Sequence, residues 1–357
     1  MMSPDQTFVY NGLSTRVVFG SGTSARTGDE ARRVGVTRPL VLSTQEQKNE
    51  AQALAAKLGM DVAGVFSGAA MHTPVEVTEK VMQVVAETKA DGTIALGGGS
   101  TTGLGKAIAL RTDLPQIVLP TTYAGSEMTN ILGETSEGKK KTLRSPKVQP
   151  EIVIYDVELT LTLPPRLSAT SGMNAIAHAV EGLYAEDRNP IVTLLALEAI
   201  RAMAEGLPAV LDKPRDVAAR AKALYGAWLC GTVLGSVGMA LHHKLCHVLG
   251  GSFDLPHAET HTVVLPHVVS FNTRAVPEQL APVAEILRSA GPGQGLFDLA
   301  KRLGAPTSLK EIGMPAEGLD KAAAIATESP YYNPRQPARE EIRALLDDAF
   351  HGRRPST

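Results

Sequence analysis

The chain has few cysteines and few aromatic residues. Two cysteines, Cys230 and Cys246, occur among 357 residues, and both lie in apolar, helix-like stretches. A disulfide framework is therefore not expected, and we interpret both as small buried side chains. Aromatic residues make up 4% of the chain, which argues against a surface on which nucleic-acid bases stack.

Neither sign of charge dominates, and long hydrophobic runs are absent. The 35 basic and 37 acidic residues give a net charge of −2, so no nucleic acid or anionic membrane is expected as a partner. No apolar run approaches the roughly 20 residues that cross a membrane. The amino-terminal residues lack the basic and apolar segments of a signal peptide. We therefore expect a reduced, cytoplasmic protein with an ordinary apolar core.

Two hydrophobic patterns divide the chain. In the first half, short β-branched runs alternate with helix-like stretches such as 50–58 and 75–89, which predicts a mainly parallel sheet with helices on both faces. The predicted strands include 17–19, 40–42, 62–66, 93–96, 117–119 and 152–154. Later, apolar residues recur at helical spacing, as in 175–184, 192–204, 217–234 and 241–249. The sequence predicts a Rossmann-like α/β domain over residues 1–160 and an all-helical domain over 161–357.

Two glycine-rich segments are candidates for binding a nucleotide phosphate. Residues 20–25, G-S-G-T-S-A, follow a strand and match G-x-G-x-x-A, but no carboxylate follows about 20 residues later, where the dinucleotide fingerprint has one. The other interpretation of this segment is a tight turn. Residues 97–102, G-G-G-S-T-T, lie between a strand and a helix, where glycine allows close backbone approach and the helix start favours an anion. We prefer the second segment.

The next strand ends in a similar segment, P-T-T-Y-A-G-S-E at residues 120–127. Ligands bind at the carboxyl ends of strands in open α/β sheets, so the two neighbouring segments together predict a dinucleotide groove. Either segment alone is equally a glycine-rich loop. The predicted cofactor contacts are Gly97, Gly98, Gly99, Ser100, Thr101, Thr121, Thr122 and Ser126.

Histidines and one asparagine recur at helical spacing in the second half. Asn174 and His178 are four residues apart, as are His243 and His247, so each pair shares one face of a helix. His257 follows in the dipeptide P-H. Three neutral imidazoles can bind zinc, so these residues suggest a metal site without a carboxylate. For any one histidine alone, a hydrogen-bonded place in the core is the other interpretation.

The order and spacing of G-G-G-S, P-T-T-Y-A-G-S-E, N-A-I-A-H, H-x-x-x-H and P-H resemble the iron-containing (group III) alcohol dehydrogenase family over nearly the whole chain. The resemblance implies a nucleotide-binding α/β domain, an all-helical domain and an active site in the cleft between them. Members of that family usually bind a divalent metal through one aspartate and three histidines, and they are commonly dimers.

By position in the family pattern, the three histidine ligands fall on His178, His243 and His257, and the aspartate falls on Asn174. Because the amide replaces the charged ligand, we expect that a metal is not required. If a metal is bound, its ligands are those three histidines. His247 matches a family histidine that is not a ligand and lies near the nicotinamide and the substrate.

Four further positions are read from the resemblance. A family acid at the adenosine ribose falls near Thr44, and its absence predicts tolerance of NADPH as well as NADH. A cofactor-contacting lysine falls at Lys141, although a solvated basic turn is an equal alternative. Gly103 stands where the family usually has aspartate. Arg335, in N-P-R, offers a fork for a carboxylate or a structural ion pair.

Within the family, the segments S-G-M-N-A-I-A-H, G-G-G-S-T-T-G-L-G-K and P-T-T-Y-A-G-S-E most resemble the maleylacetate reductase branch. This resemblance implies reduction of the C=C bond of maleylacetate to 3-oxoadipate with NADH or NADPH, in the degradation of aromatic compounds. Partly protonated histidines, with Lys244, would attract the dianionic substrate. We expect His243 and His247 to contact it, and either can serve as hydrogen-bond donor and acid.

Two other functions stay open from the sequence. A metal-dependent alcohol or polyol dehydrogenase of the same family needs a Lewis acid that stabilises the alkoxide while hydride leaves. A dehydroquinate-synthase-like lyase shares the fold and a bound NAD, but it needs an intact metal site and a strongly basic phosphate pocket. Asn174 disfavours both, because it removes the charged metal ligand.

Overall fold

The computed structural model describes residues 7–136 and 139–356, so residues 1–6, to which most of the signal-peptide expectation refers, lie outside the described part. The chain divides into two compact units, one of residues 13–163 and one that joins the amino-terminal residues up to Gly12 to everything from Pro164 onward. The division into 1–160 and 161–357 stays a prediction. The compact units change three residues later, and residues 7–12 group with the helices rather than with the sheet.

The first unit is built on a six-stranded parallel sheet and a separate two-stranded antiparallel hairpin. Its strands are β1 (Arg16–Gly20), β2 (Pro39–Leu42), β3 (Gly64–Phe66), β4 (Gly92–Gly97), β5 (Gln116–Pro120), β6 (Ile131–Ser136), β7 (Lys139–Arg144) and β8 (Ile152–Asp156). Its helices are α1 (Thr27–Arg33), α2 (Lys48–Lys57), α3 (Val75–Thr88) and α4 (Gly99–Thr112). The order in the large sheet is β1-β8-β5-β4-β2-β3, and every neighbouring pair is parallel.

The predicted α/β class and parallel sheet are confirmed. Five of the six predicted apolar runs lie wholly in strands of the large sheet, and the run 62–66 overlaps β3 in its last three residues. The central strands are largely apolar because a parallel sheet covered by helices buries both of their faces. Val41, Ile94, Ile117 and Ile154 are fully buried in this core. The hairpin β6–β7 was not predicted. It places Glu134 opposite Lys141, and its polar composition gives no apolar alternation to read.

The second unit is all-helical over its described residues from Pro164, as predicted. Its helices are α5 (Pro165–Gly182), α6 (Pro190–Asp212), α7 (Val217–Ser236), α8 (Leu241–Phe253), α9 (His257–Thr273), α10 (Pro277–Leu287), α11 (Pro292–Arg302), α12 (Leu319–Glu328) and α13 (Arg339–His351). Asn189 and Asp216 cap α6 and α7 by accepting from the backbone N–H of Val192 and Ala219, each at 3.0 Å. These caps fix where the long helices begin.

The burial of helix α5 determines the character of the site. Helix α5 is buried along most of its length, including Asn174, His178 and Glu181, so side chains on it are withdrawn from water.

Among the described residues, no single helix has the length and apolar composition of a membrane span. Helices α7 and α8 pass that test only as a pair, and they are bent by 95° at their junction.

Candidate active site

The two glycine-rich strand ends predicted to form a dinucleotide groove lie side by side. Strands β4 and β5 are neighbours, and the backbone N–H of Thr121 donates to the carbonyl of Gly97 at 3.1 Å. A Cβ atom on Gly97 would lie 2.4 Å from Oγ1 of Thr101, and one on Gly98 would lie 2.9 Å from Cγ2 of Thr122. Both positions therefore require glycine, since real Cβ atoms do not approach so closely.

The loop around these glycines suits an anionic nucleotide group. Gly98 precedes the first residue of α4, where backbone N–H groups favour phosphate. Oγ1 of Thr101 and Oγ of Ser126 are buried and have no hydrogen-bond partner among the described residues. Thr121 accepts from Nε2 of Gln47 at 3.1 Å. Ser100 lies in the first turn of α4. These donors and the crowded glycine backbone fit a pyrophosphate cradle.

The first glycine cluster, residues 20–25, is already occupied by a carboxylate of the chain itself. Asp156, at the end of β8, accepts from the backbone N–H of Gly22 at 2.9 Å and of Ser24 at 2.8 Å. The side chain of Ser21 donates to Glu158 at 2.6 Å. The loop amides that would bind a phosphate are thus satisfied internally, which favours the interpretation of this segment as a turn.

Thr44, where the resemblance places the family acid at the adenosine ribose, has an acid beside it. Thr44 follows β2, which neighbours β4, and its side chain hydrogen-bonds the carboxylate of Glu46, lowering the pKa of that acid. The inference of NADPH tolerance from a missing charge did not take Glu46 into account. Tolerance of NADPH stays a prediction.

Lys141 and Gly103 are the remaining positions read from the family pattern in this unit. Lys141 is exposed, in keeping with the alternative of a solvated basic segment, but it lies on strand β7 opposite Glu134 rather than in a turn. A Cβ on Gly103 would lie 2.3 Å from Oγ1 of Thr73. Thr73 has a φ of 48°, in the left-handed region, and its side chain lies where a side chain at residue 103 would project.

A buried lysine that the sequence did not single out organises the loop after β5. Nζ of Lys106, on α4, donates to the carbonyls of Ser126, Thr129 and Ile131 at 2.7 to 2.9 Å and to the Thr129 hydroxyl at 2.8 Å. Burial lowers its pKa to about 7, against the attraction of Glu127. Lys106 therefore links the loop that follows β5 to α4, the helix that begins in the glycine-rich segment 97–102.

The second unit gathers the predicted histidines into one cluster with two histidines that were not predicted. The ring centroids of His178 and His243 are 5.1 Å apart, and His261 lies 4.9 Å from His243 and 4.3 Å from His257. His247 is exposed, with its ring 6.2 Å from that of His243. The structure thus brings the four predicted histidines together, with His261 between His243 and His257.

A carboxylate lies inside this cluster, although the asparagine suggested that none was left. Oε2 of Glu181 is 2.6 Å from Nδ1 of His243, and Glu181 also accepts from the backbone N–H of His242 and Ala240 at 2.9 and 3.0 Å. Burial raises the pKa of Glu181, but the hydrogen bond and charge of His243 and the other donors outweigh it and lower the pKa to about 2. Glu181 is therefore ionised at neutral pH.

The expectation of partly protonated histidines is wrong for His178, and the two histidines that were not predicted, His242 and His261, are also uncharged. Burial, and secondly the neighbouring imidazoles, lower the pKa of His178 and His261 well below the usual value. The pKa of His242 falls to about 3 for the same reasons, although Glu181 opposes the shift. These rings are neutral at pH 7, because a positive charge in this dry cluster is destabilised by burial and by like charges.

Several polar atoms in the cluster are buried and have no protein partner among the described residues: Oδ1 of Asn174, Nδ1 of His178, Nε2 of His243 and Nε2 of His261. Buried polar groups in proteins are normally paired, so these atoms mark a place for a bound molecule or ion. Neutral imidazole nitrogens also suit a divalent metal. His178 and His243, with His257, would supply the nitrogen ligands, but an amide stands in the place of the carboxylate.

Arg335 forms the structural ion pair that was its alternative interpretation. It pairs with Glu341, and its guanidinium lies over the ring of Phe271 at 4.3 Å from the centroid. Nζ of Lys244 lies 5.7 Å from the ring centroid of Tyr331. Tyr331 is near enough to Glu181 that the carboxylate, after burial, contributes to raising its pKa to about 12. Tyr331 thus keeps its proton, while Arg335 is committed elsewhere.

Sequence reasoning missed Glu181, His242, His261, Lys106 and Tyr331. Spacing could have found two of them. Glu181 comes three residues after His178, on the same helix face, and His261 comes four residues after His257. His242 stands next to His243 and gives no spacing signal of its own. The search for acids stopped at the family's ligand position, so an acid one turn later was passed over.

The sequence is similar to known proteins over almost its whole length. Residues 14–157 match the family described as iron-containing alcohol dehydrogenase, and residues 168–350 match the description Fe-containing alcohol dehydrogenase family, C-terminal. A maleylacetate reductase of Rhizobium sp. is 60% identical over 350 residues, covering 98% of this chain and 99% of the relative.

A second relative and a solved structure are also maleylacetate reductases by name. The maleylacetate reductase of Burkholderia cepacia is 51% identical over 349 residues, with 98% of this chain and 99% of the relative covered. The crystal structure of maleylacetate reductase from Agrobacterium tumefaciens superimposes with a TM-score of 0.95 at 58% identity, covering 98% of this chain and 100% of that chain. The likeness therefore extends to both compact units.

Proposed function

The chain belongs to the iron-containing alcohol dehydrogenase family, and we propose that it reduces the carbon–carbon double bond of maleylacetate to 3-oxoadipate with NADH or NADPH. The observation that chiefly supports this proposal is the 60% identity, over 98% of the chain, to a relative named maleylacetate reductase. The enzyme is thus an oxidoreductase acting in the degradation of aromatic compounds. We also expect a homodimer, as is common in the family.

The chemistry of an enone suits the groups in the histidine cluster. Hydride supplied by the reduced nicotinamide adds to the alkene carbon β to the ketone, and negative charge moves to the ketone oxygen. The resulting enolate needs hydrogen-bond donors rather than acceptors, and the α-carbon then takes a proton. The residues must therefore bind a dianion, donate to a developing oxyanion and deliver one proton.

Asn174 fits this requirement better than an aspartate would. A carboxamide can donate two hydrogen bonds, whereas an ionised carboxylate can only accept. Asn174 is 4% exposed and lies one helix turn before His178. An aspartate here would repel both the substrate and the enolate. The substitution therefore favours reduction of a conjugated double bond over oxidation of a saturated alcohol, which depends on a metal bound beside that acid.

Glu181 supports His243 as the residue that delivers the proton. With Nδ1 of His243 held against the carboxylate at 2.6 Å, Nε2 is the ring atom left for the substrate, and it is buried without a partner in the described chain. The ionised Glu181 stabilises the imidazolium from which the proton is transferred. His247 is exposed, so we assign it to binding at the edge of the cluster.

The cofactor is held, in this proposal, by the loop of Gly97, Gly98 and Gly99 with the start of α4 and by the hydroxyls of the neighbouring strand end.

A divalent metal, if bound by His178, His243 and His257, would supply a Lewis acid. We propose that turnover does not require it, because Asn174 and neutral imidazole N–H groups are donors to the enolate. The metal-dependent alcohol dehydrogenase is the second candidate, favoured only by the unpaired imidazole nitrogens.

One experiment separates the two candidates. Oxidation of NADH and of NADPH is followed with maleylacetate, with and without excess chelator, in the wild type and in Asn174→Asp. We expect chelator-resistant activity in the wild type and a loss of about 100-fold or more in kcat for Asn174→Asp, since one oxyanion donor is worth that much. Oxidation of simple alcohols with no turnover of maleylacetate would overturn the proposal.

A further inference from the structure

A second group of metal-ligating atoms lies beside the family's ligand positions. His242 and Cys246 are four residues apart on α8, and His261 reaches them from α9. Nε2 of His242 is 3.0 Å from Nδ1 of His261 and 3.7 Å from Sγ of Cys246. The ligand atoms of the three residues all lie within 4.8 Å of one another, and all three side chains are buried. None of the three is a ligand position in the family pattern.

The separations agree with the dimensions of a tetrahedral zinc site. With Zn–N bonds of about 2.0 to 2.1 Å and Zn–S bonds of about 2.3 Å, ligand atoms lie about 3.3 to 3.6 Å apart. The nitrogen–nitrogen distance of 3.0 Å and the nitrogen–sulfur distance of 3.7 Å differ from these values by a few tenths of an ångström. The separation between His261 and Cys246 is within 4.8 Å, so binding an ion would move these two side chains together by up to about 1 Å. Two imidazoles and a thiolate are also the ligand types that zinc prefers over magnesium or calcium.

The local charge is right for a dication. Glu181 accepts from the backbone N–H of His242 at 2.9 Å, which places a carboxylate beside the three ligands. A divalent ion binds cysteine as the thiolate and displaces its proton. One thiolate and one carboxylate then balance the two positive charges, with both imidazoles neutral. The cluster therefore lacks only a cation to become electrically neutral.

We propose that His242, Cys246 and His261 form a buried binding site for Zn²⁺ that ties α8 to α9. Such an ion fixes His242, the neighbour of His243 in sequence, and His261, the ring neighbour of His257. It would stabilise the arrangement of the cluster without contacting the substrate. This inference does not rest on the proposed reaction, because the reduction of maleylacetate can succeed or fail whether or not the helices are joined by zinc.

Metal content tests the proposal with a matched pair of variants. Wild type, Cys246→Ala and Cys230→Ala are produced in zinc-supplemented medium, and bound zinc is measured after gel filtration. Cys230 is equally buried, on α7, and has no place in the site. We expect about one zinc per chain in the wild type and in Cys230→Ala, and less than about a tenth of that in Cys246→Ala, as expected when a ligand is lost.

A spectroscopic readout keeps the test decisive if Cys246→Ala does not fold. Wild-type protein refolded with Co²⁺ should show a sulfur-to-cobalt charge-transfer band, because the thiolate of Cys246 is a ligand. Bound cobalt without that band overturns the proposal, as does a wild type that binds no metal. Zinc that persists in Cys246→Ala but is lost in His178→Ala assigns the ion to the family's ligand set instead and also overturns it.

Discussion

Oε2 of Glu181 and Nδ1 of His243 lie 2.6 Å apart between helices α5 and α8, and both side chains are withdrawn from water. The carboxylate is held in turn by two backbone N–H groups. The arrangement fixes the ring orientation of His243 and reserves Nδ1 for the acid. A residue that never needs to touch the substrate thereby decides which histidine nitrogen is offered to it.

Replacing Glu181 by Gln should lower kcat with maleylacetate by about 10- to 100-fold, the usual cost of losing an outer-shell carboxylate. The KM for NADH should change little, because Glu181 lies in the helical unit and the predicted cradle in the α/β unit. Steady-state kinetics measure both constants. Glu186→Gln, an exposed neighbour, is the control. Equal losses in the two variants would refute the assigned role.

Gly98→Ala should weaken NADH binding by at least about tenfold. Its Cβ would lie 2.9 Å from the side chain of Thr122, so Thr122 must shift from its place in the groove, and an overpacking cost of about 1 to 3 kcal/mol is expected. Gly105→Ala on the same helix is the control, since its nearest neighbour is 3.6 Å away. NADH fluorescence titration gives both dissociation constants. Unchanged binding in Gly98→Ala would place the cradle elsewhere.

Glu46→Gln should improve the use of NADPH relative to NADH by about tenfold, which corresponds to about 1.4 kcal/mol. The carboxylate of Glu46 is ionised and bonded to Thr44, so it repels a 2′-phosphate bound at that strand end. The ratio of kcat/KM for the two nucleotides is the measurement, with Glu50→Gln on α2 as the exposed control. An unaltered ratio would mean that the adenosine end lies away from Thr44.

Stability should fall as the pH is lowered from 6.5 towards 4, in part because of His267 on α9. Burial lowers the pKa of His267 to about 4 from 6.5, while Asp348 opposes the shift. Between these values the unfolded chain takes up a proton that the folded chain refuses, so folding becomes less favourable as pH falls. The loss from this group is about 2 kcal/mol between pH 6.5 and 5.

Urea unfolding of the wild type and of His267→Asn at pH 6.5 and 5 checks this account. The variant should lose about 2 kcal/mol less than the wild type over that interval. The comparison cancels the contributions of His178, His242 and His261, whose pKa values are also lowered by burial. Parallel losses in both proteins would show that His267 is not neutral in the folded state.

The parallel sheet could be predicted because its central strands are covered on both faces. Nearly every position in them is therefore apolar, as in the strands of Ile94 and Val153, and each strand appears in the sequence as a nearly unbroken apolar run. It could not predict the β6–β7 hairpin, whose charged residues show no buried face. The histidines were found from their helical spacing. Glu181 was missed because a glutamate in a helix ordinarily indicates a solvent-exposed surface, and only the packing around α5 shows that it is buried.

Whether Arg335 binds substrate or forms an ion pair depends on which side chains surround it, and no local pattern encodes that. In the structure its guanidinium pairs with Glu341 and lies over the ring of Phe271. The acid near Thr44 was missed for a different reason. The family pattern points to the position of Thr44 itself, whereas the carboxylate that hydrogen-bonds Thr44 belongs to Glu46, two residues further on.

The contact between Thr73 and Gly103 makes the effects of substitutions at these two positions depend on each other. A Cβ added at residue 103 would lie 2.3 Å from Oγ1 of Thr73, so a side chain there is accommodated only if the threonine moves or is replaced. Residues in contact have non-additive effects on stability. Gly103→Ala should therefore destabilise the wild type more than it destabilises a Thr73→Ala background, as urea unfolding of the four proteins would measure.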